Sequence, residues 1–295
     1  MTFPIQKNIT TEEELPGMLA RNQVAGMVTG MGSTLLITWL LDKYKDNQFF
    51  LLPVLFCMAF ALYCLCGLNI CRVVEPAALK RMTNHKILKQ ALITWRIPHI
   101  RHQIYVGSAM NLWIAMIPSI NIIAMKKCFG FSDSNIMLFG FVQTISVIVA
   151  SALYKNITLR FGPAKVLVGI CPLIWVLSLY WIFIPGEISL WAALPPFILT
   201  GAISSTISTG LGNYFSNTVS NVYQVGGTFW VFVITGGLVG LVGMIMNPIL
   251  LKSIEFVTKS DGIAMYRGFF IITAILFAGL IFAPISLVKR GKTAK

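Results

Sequence analysis

Charged side chains are scarce in this sequence, and acidic ones are the scarcest. The chain has 295 residues, of which 11% are charged, with 10 Asp and Glu against 23 Lys and Arg. Soluble domains carry about 25% charged residues, so this composition excludes a soluble globular enzyme and a disordered chain. With 56% hydrophobic residues and a mean hydropathy of +0.78, the chain has more apolar surface than a soluble fold could bury. We therefore expect a lipid bilayer as its solvent.

Eight segments contain no charged residue and no histidine. Each has 18 to 27 residues, close to the roughly 20 apolar residues that a membrane-crossing helix needs. The segments are 24–41, 49–71, 104–125, 136–154, 166–184, 188–211, 225–251 and 268–288. Backbone groups in lipid have to be paired within the segment, and long runs without alternation disfavour a β-barrel. The sequence therefore predicts an all-α integral membrane protein with eight transmembrane helices.

The positive charges indicate how these helices are oriented. The side that holds both termini carries 16 Lys and Arg, whereas the opposite side carries 7. Because cytoplasmic loops are enriched in Lys and Arg, we expect both termini in the cytoplasm. The expected location is the cell inner membrane. The net charge of +13 is thus a topology signal. Nucleic-acid binding would need a concentrated basic patch with aromatic stacking groups, so the expected partner is the lipid bilayer and no nucleic acid.

The connections divide the chain unevenly. A cytoplasmic N-terminal segment (1–23) precedes two transmembrane helices (24–71), and a basic loop (72–103) leads to a six-helix half (104–288) and a basic tail (289–295). Thr11 and Glu14 fit a capping box for a short polar helix over 11–22, with a frayed tail as the alternative. The second half of the basic loop is amphipathic and predicts a helix lying on the anionic inner leaflet.

Uncharged polar side chains are concentrated in three of the segments. The candidates for a substrate path are Asn111, Asn121, Gln143, Ser204, Ser205 and Ser208. On a helix with 3.6 residues per turn, the three serines fall on one small, polar face. Two interpretations stay open, because the same side chains could instead form hydrogen bonds between helices or back to their own helix.

Glycines four residues apart mark the first and seventh segments. Gly26 and Gly30 form one pair, and Gly236 and Gly240 form the other. Small residues at this spacing let helix backbones approach closely. We interpret them as helix-packing positions, with a sliding seam between moving halves as the sharper alternative.

Groups that usually carry reactions or ion coupling are missing from the eight segments. Without a carboxylate, a histidine or a basic side chain there, the chain alone has no conventional proton-coupling residue and no aspartyl or Ser–His mechanism within the membrane. The three histidines lie in 72–103, and four of the six cysteines lie in the second segment without other metal-ligating side chains. We therefore expect no enzyme, no cofactor, no metal site and no disulfide framework.

The loop between the fourth and fifth segments has the form of a known signature. Residues 159–165 read LRFGPAK, in which Arg160 and Gly162 match the pattern G-x-x-x-D-[RK]-x-G-[RK]-[RK]. The loop resembles the cytoplasmic signature of the major facilitator superfamily, in the copy between the eighth and ninth helices. The departures from that pattern are Lys155 at the first glycine, Leu159 at the acid, and Pro163 and Ala164 at the final basic pair.

The surrounding layout extends this resemblance over residues 20–290. Arg21-Asn22, residues 40–44, residues 74–76 and the glycine-rich seventh segment look like parts of helices five, six and eleven of a bacterial member. The resemblance implies that the eight segments correspond to helices five to twelve of a partial bundle of this kind. It also implies that 72–103 is the central cytoplasmic loop and that the family's first four helices are missing.

The resemblance further implies a multi-pass transporter that moves a small solute by alternating access. Such a chain would be a truncated or split member, with a partner chain supplying the missing helices. The alternative is a degenerate or accessory membrane protein that does not transport and acts through helix–helix assembly. The sequence leaves the small-molecule substrate unidentified.

Overall fold

The described part of the chain is helical. The computed structural model describes residues 14–43, 48–71, 87–219, 224–259 and 262–293, and contains no β-strand within them. The helices are α1 (Leu15–Lys43), α2 (Gln48–Cys71), α3 (Ile87–Trp95), α4 (Pro98–Phe129), α5 (Asp133–Phe161), α6 (Pro163–Phe183), α7 (Leu190–Thr218), α8 (Gln224–Thr228), α9 (Val239–Thr258), α10 (Ile263–Leu276) and α11 (Phe282–Thr293). A π-helical segment, Phe229–Leu238, joins α8 to α9, and a 3₁₀ turn, Ala278–Ile281, precedes α11.

These helices form two units. The larger unit contains Met1–Val24 and His85–Lys295, and the smaller unit is Ala25–Asn84. The smaller unit holds the rest of α1 together with α2, and its large apolar side chains, such as Phe56 and Phe60, are exposed. Every site discussed below, apart from one glycine pair in α1, lies in the larger unit.

Five described helices are long and apolar enough to cross a membrane. They are α4, α5, α6, α7 and the continuous helix Gly226–Thr258 that contains the π-helical segment. The all-α class predicted from the sequence is confirmed, and these helices are consistent with a multi-pass membrane protein. The count of eight crossings stays a prediction.

Short local signals set the ends of the long helices. The Ser132 and Ser189 hydroxyls accept hydrogen bonds from the backbone amides of Asn135 and Ala192, as N-cap side chains do. Pro98 and Pro163 open α4 and α6, where a missing amide hydrogen costs nothing. These turns are short, so neighbouring long helices run in opposite directions.

The seventh charge-free segment differs from a uniform α-helix. Its π-helical stretch follows one glycine pair, Gly226-Gly227, and contains another, Gly236-Gly237. Glycine weakens the α-helix because it has the most backbone freedom to lose. The Val239 amide still donates to the Ile234 carbonyl, five residues back. Long π-helical stretches are rare, and short ones occur frequently at functional sites.

The eighth segment is interrupted as well. Its predicted single helix over 268–288 is instead α10, a turn at Phe277, the 3₁₀ turn and α11. Pro284 has no amide hydrogen to give to the carbonyl of Leu280, and Gly279 has low helix propensity. The segment is therefore helical with a break at Phe277, and its crossing of the membrane stays a prediction.

The start of α1 packs into the larger unit. Leu15, Leu19 and Ala20 are buried, and Gly17 lies against the aliphatic part of the Lys155 side chain. The proposed cap residues at 11–13 lie outside the described residues. The observed helix begins at Leu15 and differs from the expected polar helix because its first turns bury apolar side chains.

The helix in the basic loop is α3, which packs against other helices of the larger unit. The Trp230 indole donates to the Ala91 carbonyl at 2.7 Å, and Gly226 leaves room for the Gln90 backbone. Leu92 is 64% exposed on the outer side of α3. That α3 lies on the membrane surface stays a prediction, and the structure adds that α3 also contacts the helix bundle. Residues 72–86 lie outside the described part.

Stacked aromatic rings pack the long helices together. Trp181 of α6 stacks on Phe270 of α10 with a centroid distance of 4.8 Å, and Phe139 of α5 stacks on Phe197 of α7 at the same distance. All four side chains are buried. In lipid such van der Waals packing holds helices together, because lipid tails are as apolar as the side chains.

Candidate functional site

Three helical elements meet around Gly107 of α4. A Cβ atom built on Gly107 would lie 3.7 Å from Thr235 Oγ1 of the π-helical segment and 3.9 Å from Leu211 Cδ1 of α7. These are ordinary van der Waals distances, so both elements lie against α4 at this position with room for a methyl group. We call Gly107, Leu211 and Thr235 the three-helix junction.

Two predicted candidates share helix faces with this junction. Ser204 and Ser208 precede Leu211 by seven and three residues, which places all three on one face of α7. Ser208 is exposed and Ser204 half-buried, yet the Ser204 Oγ atom itself is buried and has no hydrogen-bond partner among the described residues. This face is polar and only partly covered.

Asn111 lies one turn along α4 from Gly107. Its Nδ2 atom donates to the Gly107 carbonyl of its own helix at 2.9 Å, and the side chain is half-buried. The amide thus lies beside the junction without bonding to another helix through that atom.

Three other candidates lie in contacts between helices. Asn121 Nδ2 donates to Thr200 Oγ1 of α7 at 2.8 Å, and the Ser205 hydroxyl is hydrogen-bonded to that of Ser151 of α5 at 2.8 Å. The backbone carbonyl of Gln143 lies against Gly201, at a distance that leaves no room for a Cβ atom. The contacts of Asn121 and Ser205 are of the kind that the second interpretation describes, hydrogen bonds between helices, whereas the contact at Gln143 involves only its backbone.

Sequence reasoning passed over Asn247 of α9. Its Nδ2 atom donates to the Met116 carbonyl and to Ser119 Oγ of α4, both at 3.0 Å. Pro118 and Pro248 interrupt the backbone bonding of the same two helices next to this contact. The sequence signal that could have identified Asn247 is the Asn-Pro pair within an apolar segment. A polar amide next to a proline is costly to place in lipid, so it indicates a contact inside the bundle.

Two buried amide oxygens lack partners. Asn121 Oδ1 and Asn247 Oδ1 are buried and accept no hydrogen bond from the described residues. Their residues are 0% and 5% exposed. Native proteins leave few buried polar atoms without a partner, and bound water or a ligand commonly completes the set.

The signature-like loop is a single-residue turn. Gly162 ends α5 and begins α6 with φ 81° and ψ 153°, a region that is essentially restricted to glycine. The Arg160 guanidinium carbon lies 5.3 Å from the centre of the Phe161 ring. The match at Gly162 therefore has a geometric reason, whereas Arg160 is an exposed cation.

The predicted packing glycines lie in open positions. A Cβ atom added at Gly236 or Gly240 would meet no described atom within 4 Å, and one added at Gly26 or Gly30 would meet none in the smaller unit. Close contacts involve other glycines, including Gly243, whose added Cβ would lie 2.8 Å from Ala115 Cβ. Within this chain, the tight approach of α9 to α4 depends on Gly243 rather than on the predicted pair.

A Ser–His contact occurs at one end of the larger unit. His102 Nε2 lies 2.5 Å from Ser286 Oγ, and the Ser286 hydroxyl donates to the Ala283 carbonyl. Which of the two atoms, His102 Nε2 or Ser286 Oγ, donates in their contact depends on the tautomer of the imidazole. No group of three His, Cys, Asp or Glu side chains that could hold a metal ion occurs in the described part of the chain.

Comparison of the chain with family models, curated proteins and solved structures finds no match.

Proposed function

We propose that this chain is a multi-pass transporter of the cell inner membrane, with both termini in the cytoplasm, that moves a small solute by alternating access. The proposal includes eight crossings in a partial bundle similar to that of the major facilitator superfamily. The solute path runs along the polar faces of α4 and α7 beside the three-helix junction. Its candidate contacts are Asn111, Ser204 and Ser208.

One observation carries the proposal: a buried polar oxygen without a hydrogen-bond partner among the described residues, on the face of α7 that reaches the junction. This atom is Ser204 Oγ, seven residues before Leu211. Asn121 Oδ1 and Asn247 Oδ1 are two further such atoms, more distant along α4 and α9. Such atoms are costly to bury unless a water molecule or a polar solute donates to them. The nearby π-helical segment adds support, because transporters commonly bind solutes where a membrane helix departs from regular α-helix.

The absence of charge on this path bears on the substrate class. The polar side chains near the junction are amides and hydroxyls, which bond to a solute without selecting its charge. We propose a neutral or amphipathic solute.

Cysteine accessibility tests the path without knowledge of the solute. In a cysteine-free variant in oriented membrane vesicles, Asn111→Cys should react with a membrane-impermeant maleimide from both sides in separate conformations. Ser205→Cys is the matched control and should react from neither side, because Ser205 is 1% exposed between α5 and α7. Reaction of Asn111→Cys from one side only, under all conditions, would contradict alternating access.

A second candidate function is assembly with another membrane helix. The open face at Gly236 and Gly240 favours it, because small residues four apart permit close helix contact. Gly240→Leu should then reduce cross-linked oligomers in the membrane, whereas Gly140→Leu, at another open position, should leave them unchanged. An oligomer yield that is equal in both variants and the parent chain would argue against assembly through this face.

A further inference from the structure

A groove opens on the side of the larger unit, away from the three-helix junction. Its volume is about 480 Å³, and it lies between α5 and α6 with Thr206 of α7 among its lining residues. Leu153, Ile157 and Phe161 line it and are also exposed, so the groove opens sideways towards the surroundings of the helices. This volume is in the usual range for a small-ligand site.

The groove has the length of one lipid leaflet. Along α5 it runs from Ala150 to Phe161, which corresponds to about 16 Å at 1.5 Å per residue. The hydrocarbon core of a bilayer is about 30 Å thick, so one leaflet contributes about 15 Å. Because its walls are almost entirely aliphatic and aromatic, the groove suits an acyl chain.

Positive charge lies at one end of this groove. Lys165 is exposed and lines the groove, and Arg160, the residue before the last of α5, is also exposed. The acidic residues nearest in sequence, Asp133 and Glu187, are placed at the opposite ends of α5 and α6. The apolar length and the basic end are therefore arranged like the tail and headgroup of an anionic lipid.

We propose that this groove binds one anionic phospholipid, with an acyl chain along α5 and α6 and the phosphate on Lys165. The lipid belongs to the leaflet on the Gly162 side of the membrane. In the proposed topology this is the cytoplasmic leaflet, where anionic lipids attract basic groups. The binding itself does not depend on whether the protein transports a solute.

Two changes separate the headgroup contact from the tail contact. Lys165→Gln removes the positive charge, and Gly169→Leu fills the groove, because a Cβ atom at Gly169 meets no described atom within 4 Å. The matched control for the charge is Lys127→Gln, which changes an exposed lysine near the C-terminal end of α4. The matched control for the volume is Gly140→Leu, which changes an open glycine outside the groove.

The test is titration of the purified full chain in detergent with dioleoyl phosphatidylglycerol, followed by native mass spectrometry. Lys165→Gln should weaken binding about fivefold, and Gly169→Leu should weaken it at least as much, while both controls keep the parent affinity. Equal affinity for phosphatidylcholine, or unchanged binding in Lys165→Gln, would overturn the headgroup assignment. Inorganic phosphate that competes fully would show an anion site without a tail contact and would also overturn the proposal.

Discussion

At the scale of single residues, polar side chains in this chain connect helices that lipid alone would not hold in register. Asn121 and Thr200 illustrate this, since their 2.8 Å hydrogen bond joins α4 to α7 in a buried setting. Hydrogen bonds between membrane helices are worth about 0.6 kcal/mol on average. The bond therefore tunes the packing of two helices and does not decide whether they fold.

Asn121→Leu and Thr200→Val, alone and together, measure this contact. We expect a coupling free energy of about 0.6 kcal/mol in equilibrium unfolding with SDS in mixed micelles. The pair Asn111→Leu and Thr200→Val is the control, because the Asn111 amide donates to its own helix. A coupling of zero in the first cycle would show that the bond contributes nothing in the membrane-like environment.

Gly162 is the residue whose backbone conformation is the most restrictive. With φ 81° and ψ 153°, it occupies a region where a side chain costs on the order of 1–3 kcal/mol. Gly162→Ala should lower the free energy of unfolding by that amount, whereas Gly140→Ala in the middle of α5 should raise it by up to about 1 kcal/mol through helix propensity. Thermal unfolding in detergent measures whether each variant is less or more stable than the parent chain. A Gly162→Ala variant with the stability of the parent chain would exclude the argument from backbone strain.

At the scale of elements, α5 and α7 share the most extensive contact among the described helices. The Ser146 hydroxyl donates to the Ile198 carbonyl at 2.6 Å, and Gly201 leaves no room for a Cβ atom against the Gln143 carbonyl. Overpacking of a close contact costs about 1–3 kcal/mol, more than alanine gains from helix propensity. The close approach of these two helices at this point therefore needs a residue without a side chain at position 201.

Gly201→Ala should destabilise the protein, although alanine is the better helix former. Unfolding in mixed micelles should show a loss of about 1–3 kcal/mol, opposite in sign to the effect of Gly140→Ala. A stabilised Gly201→Ala variant would mean that α5 and α7 separate without cost, which their described geometry does not allow.

Elements were predictable from the sequence to different degrees. Runs without charge, such as 136–154, predicted helices because lipid leaves the backbone no other pairing, and the connection that contains Gly162 was placed between two such runs. The π-helical stretch and the break at Phe277 were not predicted, because hydropathy carries no information on backbone register. The choice between a path and a helix contact for Ser205 needed its neighbour, Ser151, which is distant in sequence.

At the scale of the whole molecule, the account depends on which helix ends face the cytoplasm. The solute path needs polar faces that become accessible from both sides, and the lipid groove needs its basic end at an anionic leaflet. Both proposals assume that α5 ends and α6 begins on the cytoplasmic side, as the 16 to 7 division of positive charges predicts.

The most direct test of this central claim is labelling of single cysteines in intact and permeabilised cells with a membrane-impermeant maleimide. In a cysteine-free variant, cysteines at Lys45, Glu187 and Lys259 should react in intact cells, whereas those at Lys89 and Arg160 should react only after permeabilisation. This result would support alternate crossings with the basic ends inside. Labelling of Arg160→Cys in intact cells, or equal labelling of Arg160→Cys and Glu187→Cys from one side, would contradict the account.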